Sequence, residues 1–162
     1  MAQTKPAARA ATIRGPGLIL GVGLGGFVDG IVLHQILQWH HMLSETESYP
    51  PTTLENLKIN TLADGLFHAS TWIFVFGGLW WLWKAVGAGG WKLRWRSLLG
   101  WMAAGWGLFN VVEGIIDHHV LQIHQVRPDA SNPLVWDIGF LIFGGLLIVG
   151  GWAVQKADPS NG

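Results

Sequence analysis

Two stretches of this 162-residue chain carry the same arrangement of side chains that can bind protons or metals. The shared pattern is Asp/Glu-Gly-x3-His-x3-Gln-x-His. It runs through Asp29, Gly30, His34, Gln38 and His40, and again through Glu113, Gly114, His118, Gln122 and His124. Carboxylate and imidazole in alternation suit two kinds of chemistry: coordination of a transition metal, or relay of protons between groups that titrate. Further groups of the same kind lie nearby in sequence. Asp64 and His68 stand four apart, Asp117 precedes the His118-His119 pair, His41 follows His40, and Asp137 opens the last apolar run.

The elements that must position these groups are unusual. Charged residues make up 12% of the chain and apolar residues 50%, against about 25% charged in an ordinary soluble domain. Lys plus Arg and Asp plus Glu both count ten, so the basic surplus of a nucleic-acid binder is absent. There is no cysteine, which excludes thiolate metal sites, iron–sulfur clusters and thioether-bound haem. Four apolar segments, roughly 16–41, 57–83, 98–121 and 134–154, are each long enough, at about 20 residues, to cross a bilayer as a helix. Eleven tryptophans and 23 glycines fit interface anchors and closely packed membrane helices. The expected fold is all-α: a four-transmembrane-helix bundle following a cytoplasmic tail of residues 1–15, with residues 16–162 as one membrane domain.

Overlaying 23–41 on 107–125 gives nine identities in nineteen positions. The second and fourth segments align more weakly, Asp64 with Asp137, Phe67 with Phe140 and Gly77-Gly78 with Gly150-Gly151. The chain therefore reads as two tandem helical hairpins, 16–84 and 98–156, in a parallel internal repeat. Eight of the ten basic residues fall in the tails and the 84–96 loop, which places both termini in the cytoplasm. The His-rich ends then lie in the periplasmic half of a bacterial inner membrane. Trp80, Trp81, Trp83, Trp91, Trp95 and Trp101 form the cytoplasmic aromatic belt.

On a regular helix of about 100° per residue, Asp29 and His40 share one ridge, as do Glu113, Asp117 and His124. His34, Gln38 and His41 fall about 140° away, with His118, Gln122 and Gln125 in the same relation to Glu113. Gly23, Gly26 and Gly30 lie between the ridges and are expected to face the interior. Gln35 and His119 point outward. No broken helix is expected. The run Gly21-Val22-Gly23-Leu24-Gly25-Gly26 has dinucleotide-loop spacing but lies inside a span with no strand before it, so it reads as packing.

The segment GFVDGIVLHQILQWHHM, followed by DGLFHAST and EGIIDHHVLQIHQV, resembles the bacterial membrane-protein family called domain of unknown function 2243. The resemblance extends over nearly the whole chain beyond the first dozen residues. It implies a four-span inner-membrane protein and carries no activity with it.

Ionised carboxylates at this depth cost roughly 3 kcal/mol each unless paired, protonated or metal-bound. Buried Asp–His pairs can serve only to hold helices together, yet so many converging from four helices exceed what adhesion needs. The favoured reading is a transition-metal centre (copper, iron, zinc or manganese) for redox chemistry or metal handling. Its expected ligands are His34, Asp64, His68, Glu113, Asp117 and His118, with Asp29, His40, His41, His124 and Asp137 as secondary candidates. Haem between His34 and His118 is disfavoured, because an axial pair needs no carboxylates. The alternative is a proton-coupled or ion transporter using the midplane acids and histidines. Expected partners are the lipid bilayer, a second copy of the chain, and a periplasmic redox or metal-carrier protein.

Overall fold

The computed structural model describes residues 13–87 and 94–157. The N-terminal tail to residue 12, Trp91 and the middle of the 84–96 loop lie outside the described residues. Four helices dominate: α1 (Arg14–Asp29), α2 (Leu54–Gly87), α3 (Trp95–Glu113) and α4 (Pro133–Lys156). All four are long and apolar enough to cross a membrane. α1 and α3 each continue into a π-helical segment, Gly30–Ile36 and Gly114–Val120. No strand occurs among the described residues.

Glycines decide how the helices meet. A Cβ on Gly21 would overlap the carbonyl of Met102, and one on Gly105 would overlap that of Leu18. The α1 and α3 backbones therefore run parallel and in contact at the centre. Gly23 and Gly26 admit Thr71 and Val75 of α2. On the far side Gly100 and Gly107 admit Gly151, Gly144 and Ile148 of α4. α2 runs antiparallel along α1, and α4 along α3, so the two inner helices each carry one outer helix. The expected interior sector of Gly23, Gly26 and Gly30 faces α2, whereas Gly17, Gly21 and Gly25 face α3. Side chains such as Leu62, Leu66, Ile73, Ile142, Leu146 and Val149 stand exposed on the outer helices, the surface a lipid bilayer covers. At one end Arg14, Lys84 and Lys156 stack over Trp101, Trp80 and Trp152, as basic and aromatic anchors do at a membrane interface.

The expected unbroken helices do not survive at the other end. The Leu37 amide bonds to Val32 O at 2.8 Å and the Leu121 amide to Ile116 O at 2.7 Å, the five-residue spacing of a π-helix. Gln38 and Gln122 then adopt left-handed backbone, φ 51° and 52°, which ends each helix. A regular wheel run on to His40 or His124 therefore fails, because neither residue is helical. The cause is the wider π turn that starts at Gly30 and Gly114, one residue after each acid.

Candidate metal centre

The π turn has a direct consequence for the acids and histidines. Five residues of regular helix would separate Asp29 from His34 by about 140°, whereas the i to i+5 closure of a π turn brings them together. Asp29 Oδ2 lies 3.4 Å from His34 Nε2, and Glu113 Oε1 lies 3.0 Å from His118 Nε2. The two ridges read from a regular wheel are merged into one face.

Beyond Gln38 and Gln122 the chain folds back over the helix ends, and each connecting segment grips the other. His40 Nδ1 donates to Val126 O at 2.8 Å, and His124 Nδ1 donates to Met42 O at 3.2 Å. Each segment is also held by the outer helix of its own hairpin. The Met42 amide donates to Asp64 Oδ1 and the Val126 amide to Asp137 Oδ1, both at 2.9 Å. Asn60, one turn before Asp64, is fully buried; its Oδ1 accepts from the Leu43 amide and its Nδ2 donates to Tyr49 O and Asn56 O.

Four imidazoles converge as a result. The His40 and His124 rings stack with centroids 4.6 Å apart and planes 11° apart. His34 meets His40 edge-on at 4.4 Å, and His118 meets His124 at 5.0 Å. All four are buried, His34 and His124 completely. Burial, reinforced by His124 and His34, pushes the pKa of His40 down to about 2, which keeps its ring neutral.

Three of the four Nδ1 atoms in this cluster are hydrogen-bonded to a fixed acceptor. Those of His40 and His124 have backbone carbonyls. That of His34 has Asp64 Oδ1 at 2.8 Å, whereas that of His118 lies 3.4 Å from Asp137 Oδ1 without a hydrogen bond. The Nε2 atoms are left for one another and for Asp29 and Glu113. Those of His34, His40 and His118 are buried without a hydrogen-bond partner. His124 Nε2 lies 3.0 Å from Glu113 Oε1. In a neutral His124 whose proton sits on Nδ1, that is a lone pair against a carboxylate, a contact only a proton or a cation relieves. Among the described residues, two donor sets have atoms within 4.8 Å of one another and could hold an ion: His34, His40 and His124, and Glu113, His118 and His124.

Over residues 16–158 the chain matches the family described as "Predicted membrane protein (DUF2243)". The chain belongs to that family. The matched span takes in nearly the whole of the four-helix domain, as the resemblance in the sequence implies. No curated protein and no solved structure matches the chain.

Of the six expected principal ligands, the donor sets include His34, Glu113 and His118, with Asp64 behind His34. Neither set includes His68 or Asp117. His68 packs against Gly30 and stacks on Phe27 at 6.1 Å, and Asp117 is half-buried. Among the secondary candidates, His40 and His124 enter the sets and Asp29 borders them. Asp137 backs His118, and His41 Nδ1 donates to Asp64 Oδ2 at 2.7 Å. His119 is exposed. Sequence reasoning missed Asn60, although its four-residue spacing from Asp64 on one helix was a usable signal. Asn110, equivalent to Gly26 in the repeat, falls in the expected interior sector and is buried.

Proposed function

We propose that this membrane protein holds one transition-metal ion among His34, His40, His118 and His124, with Glu113 and Asp29 supplying carboxylate. The observation that carries this reading is the orientation of the imidazoles: Nδ1 of His34, His40 and His124 on a built acceptor, and Nε2 of all four turned inward. Metal-binding histidines are typically oriented in this way, the outer hydrogen bond fixing ring and tautomer. His124 belongs to both donor sets, and its one remaining nitrogen can bind one ion, which favours a single centre. Four imidazoles to two carboxylates favours copper, zinc or iron over manganese. A third imidazole within 4.8 Å of the His34 and His40 donor atoms leaves no slot for a porphyrin, which counts against haem.

The paired contacts support reading the chain as two tandem hairpins about an axis running from Gly21 and Gly105 to His40 and His124. With the basic residues at the opposite end, the centre lies on the periplasmic side of a bacterial inner membrane. A cleft of about 320 Å³ bordered by His40, His41 and Glu45 offers an ion a route from that side. Redox chemistry at the centre and delivery of metal to a periplasmic partner both fit this placement.

The test is elemental analysis of purified protein with reconstitution by each candidate metal. One equivalent is expected, lost in His124→Ala and kept in His119→Ala. Protein that neither carries nor gains metal would mean that protons balance the acids, and would favour transport.

A further inference from the structure

α1 and α4 do not pack against each other, and a cavity of about 470 Å³ lies between them. That volume is within the roughly 300–1,000 Å³ usual for small-molecule sites. The walls are apolar and aromatic, with Trp39, Trp106, Trp136, Phe140 and Phe143 among them. Val28, Val32, Val135 and Phe143 are exposed, so the opening faces the lipid. Trp39 and Trp136 meet edge-on at 5.1 Å, and the Arg127 guanidinium caps both rings at 5.0 and 5.3 Å.

Two polar side chains line this apolar space. Asp29 is 6% exposed and Asn110 is 2% exposed. Asn110 Oδ1 is buried with no hydrogen-bond partner, a desolvation cost that a bound donor would recover. A carboxylate beside an unmet amide oxygen calls for a ligand head that donates hydrogen bonds. A fatty acid or phospholipid would instead set like charge against Asp29. The aromatic walls suit a flat ring, and the lateral opening suits an apolar tail that remains in the membrane.

We propose that this cavity binds the head of a lipid-soluble quinol, one hydroxyl donating to Asn110 Oδ1 and the other to Asp29. The site stands on the cavity and its acceptors and does not require the metal centre, though Asp29 Oδ2 lies 3.4 Å from His34 Nε2 and so borders both.

The probe is a benzoquinol with a ten-carbon chain, titrated calorimetrically into the full-length protein in detergent. Its dimethyl ether and decanol serve as comparison ligands. The quinol is expected to bind saturably at one equivalent, and the ether, which lacks donors, about tenfold or more weakly. Gly139 lines the cavity and a Cβ there meets nothing within 4 Å, so Gly139→Leu fills the space without disturbing packing. That variant is expected to abolish binding at unchanged thermal stability and metal content, and Asn110→Leu to weaken it. Equal binding of quinol and ether would overturn the proposal. So would undiminished binding by Gly139→Leu, or decanol competing as well as the quinol. Because metal content is read separately, failure here is distinct from failure of the metal centre.

Discussion

Asp64 offers the sharpest quantitative test of how the centre is oriented. Its carboxylate is 1% exposed and accepts three hydrogen bonds, from His34 Nδ1 at 2.8 Å, His41 Nδ1 at 2.7 Å and the Met42 amide at 2.9 Å. Two of these converge on Oδ1. In Asp64→Asn the amide oxygen can remain at that position and keep His34 and Met42 in place, while the NH2 group confronts His41. One contact and the negative charge are lost, but the His34 ring stays oriented. In Asp64→Leu all three contacts vanish, His34 is free to turn, and the segment carrying His40 loses an anchor. Loss of an outer hydrogen-bond partner weakens metal binding by about 10–100-fold, or roughly 1.4–2.7 kcal/mol. Asp64→Asn is expected near the tenfold end and Asp64→Leu near a hundredfold. The assay is competition against a chelator of known affinity, with thermal unfolding recorded alongside to establish that each variant is folded. Folded Asp64→Leu with undiminished affinity would refute the claim that these outer bonds orient a centre.

Four other outcomes are expected. Gly21→Val drives a side chain into the Met102 carbonyl and Gly105, so thermal unfolding in detergent should show a loss of about 1–3 kcal/mol. Gly65→Ala, which meets nothing, should leave stability unchanged or raised. His68→Ala and His119→Ala should both retain one equivalent of metal by elemental analysis; loss in His68→Ala would bring that ring back into the ligand set. In intact cells, cysteines at Ser48 and Asp129 should react with a membrane-impermeant thiol reagent and one at Gly87 should not. The reverse pattern would turn the molecule over and move the centre to the cytoplasmic side.

Much of the architecture was legible in the sequence because membrane spans obey a simple length and hydropathy rule. The second span, expected over 57–83, is Leu54–Gly87, and the fourth, expected over 134–154, is Pro133–Lys156. The differences are the polar ends that hydropathy does not weigh. Buried acids and histidines were legible for the same reason, since nothing but function or pairing keeps them in such segments. Their mutual geometry was not. A wheel of constant pitch set Asp29 apart from His34 and Glu113 apart from His118, and the π turns at Gly30 and Gly114 bring each pair together. An acid followed by glycine, five residues before a histidine and present twice, was the available signal. The left-handed Gln38 and Gln122 had none, because glutamine ordinarily avoids that backbone region. Asp64 accepts hydrogen bonds from His34, His41 and the Met42 amide, a placement that depends on where the 37–53 segment folds back. Asn60 fixes that segment by bonds to backbone groups of residues 43, 49 and 56, which no helical periodicity could show.

The central claim is that inward-turned imidazoles of His34, His40, His118 and His124 hold one metal ion. The most direct measurement is the metal content of wild type and of His124→Ala, by elemental analysis after purification and after reconstitution with copper, zinc or iron. The account predicts one equivalent per chain in the wild type and little in His124→Ala, because that residue belongs to both donor sets. No stoichiometric metal in the wild type under any of these conditions, or an equal amount in both proteins, would contradict it.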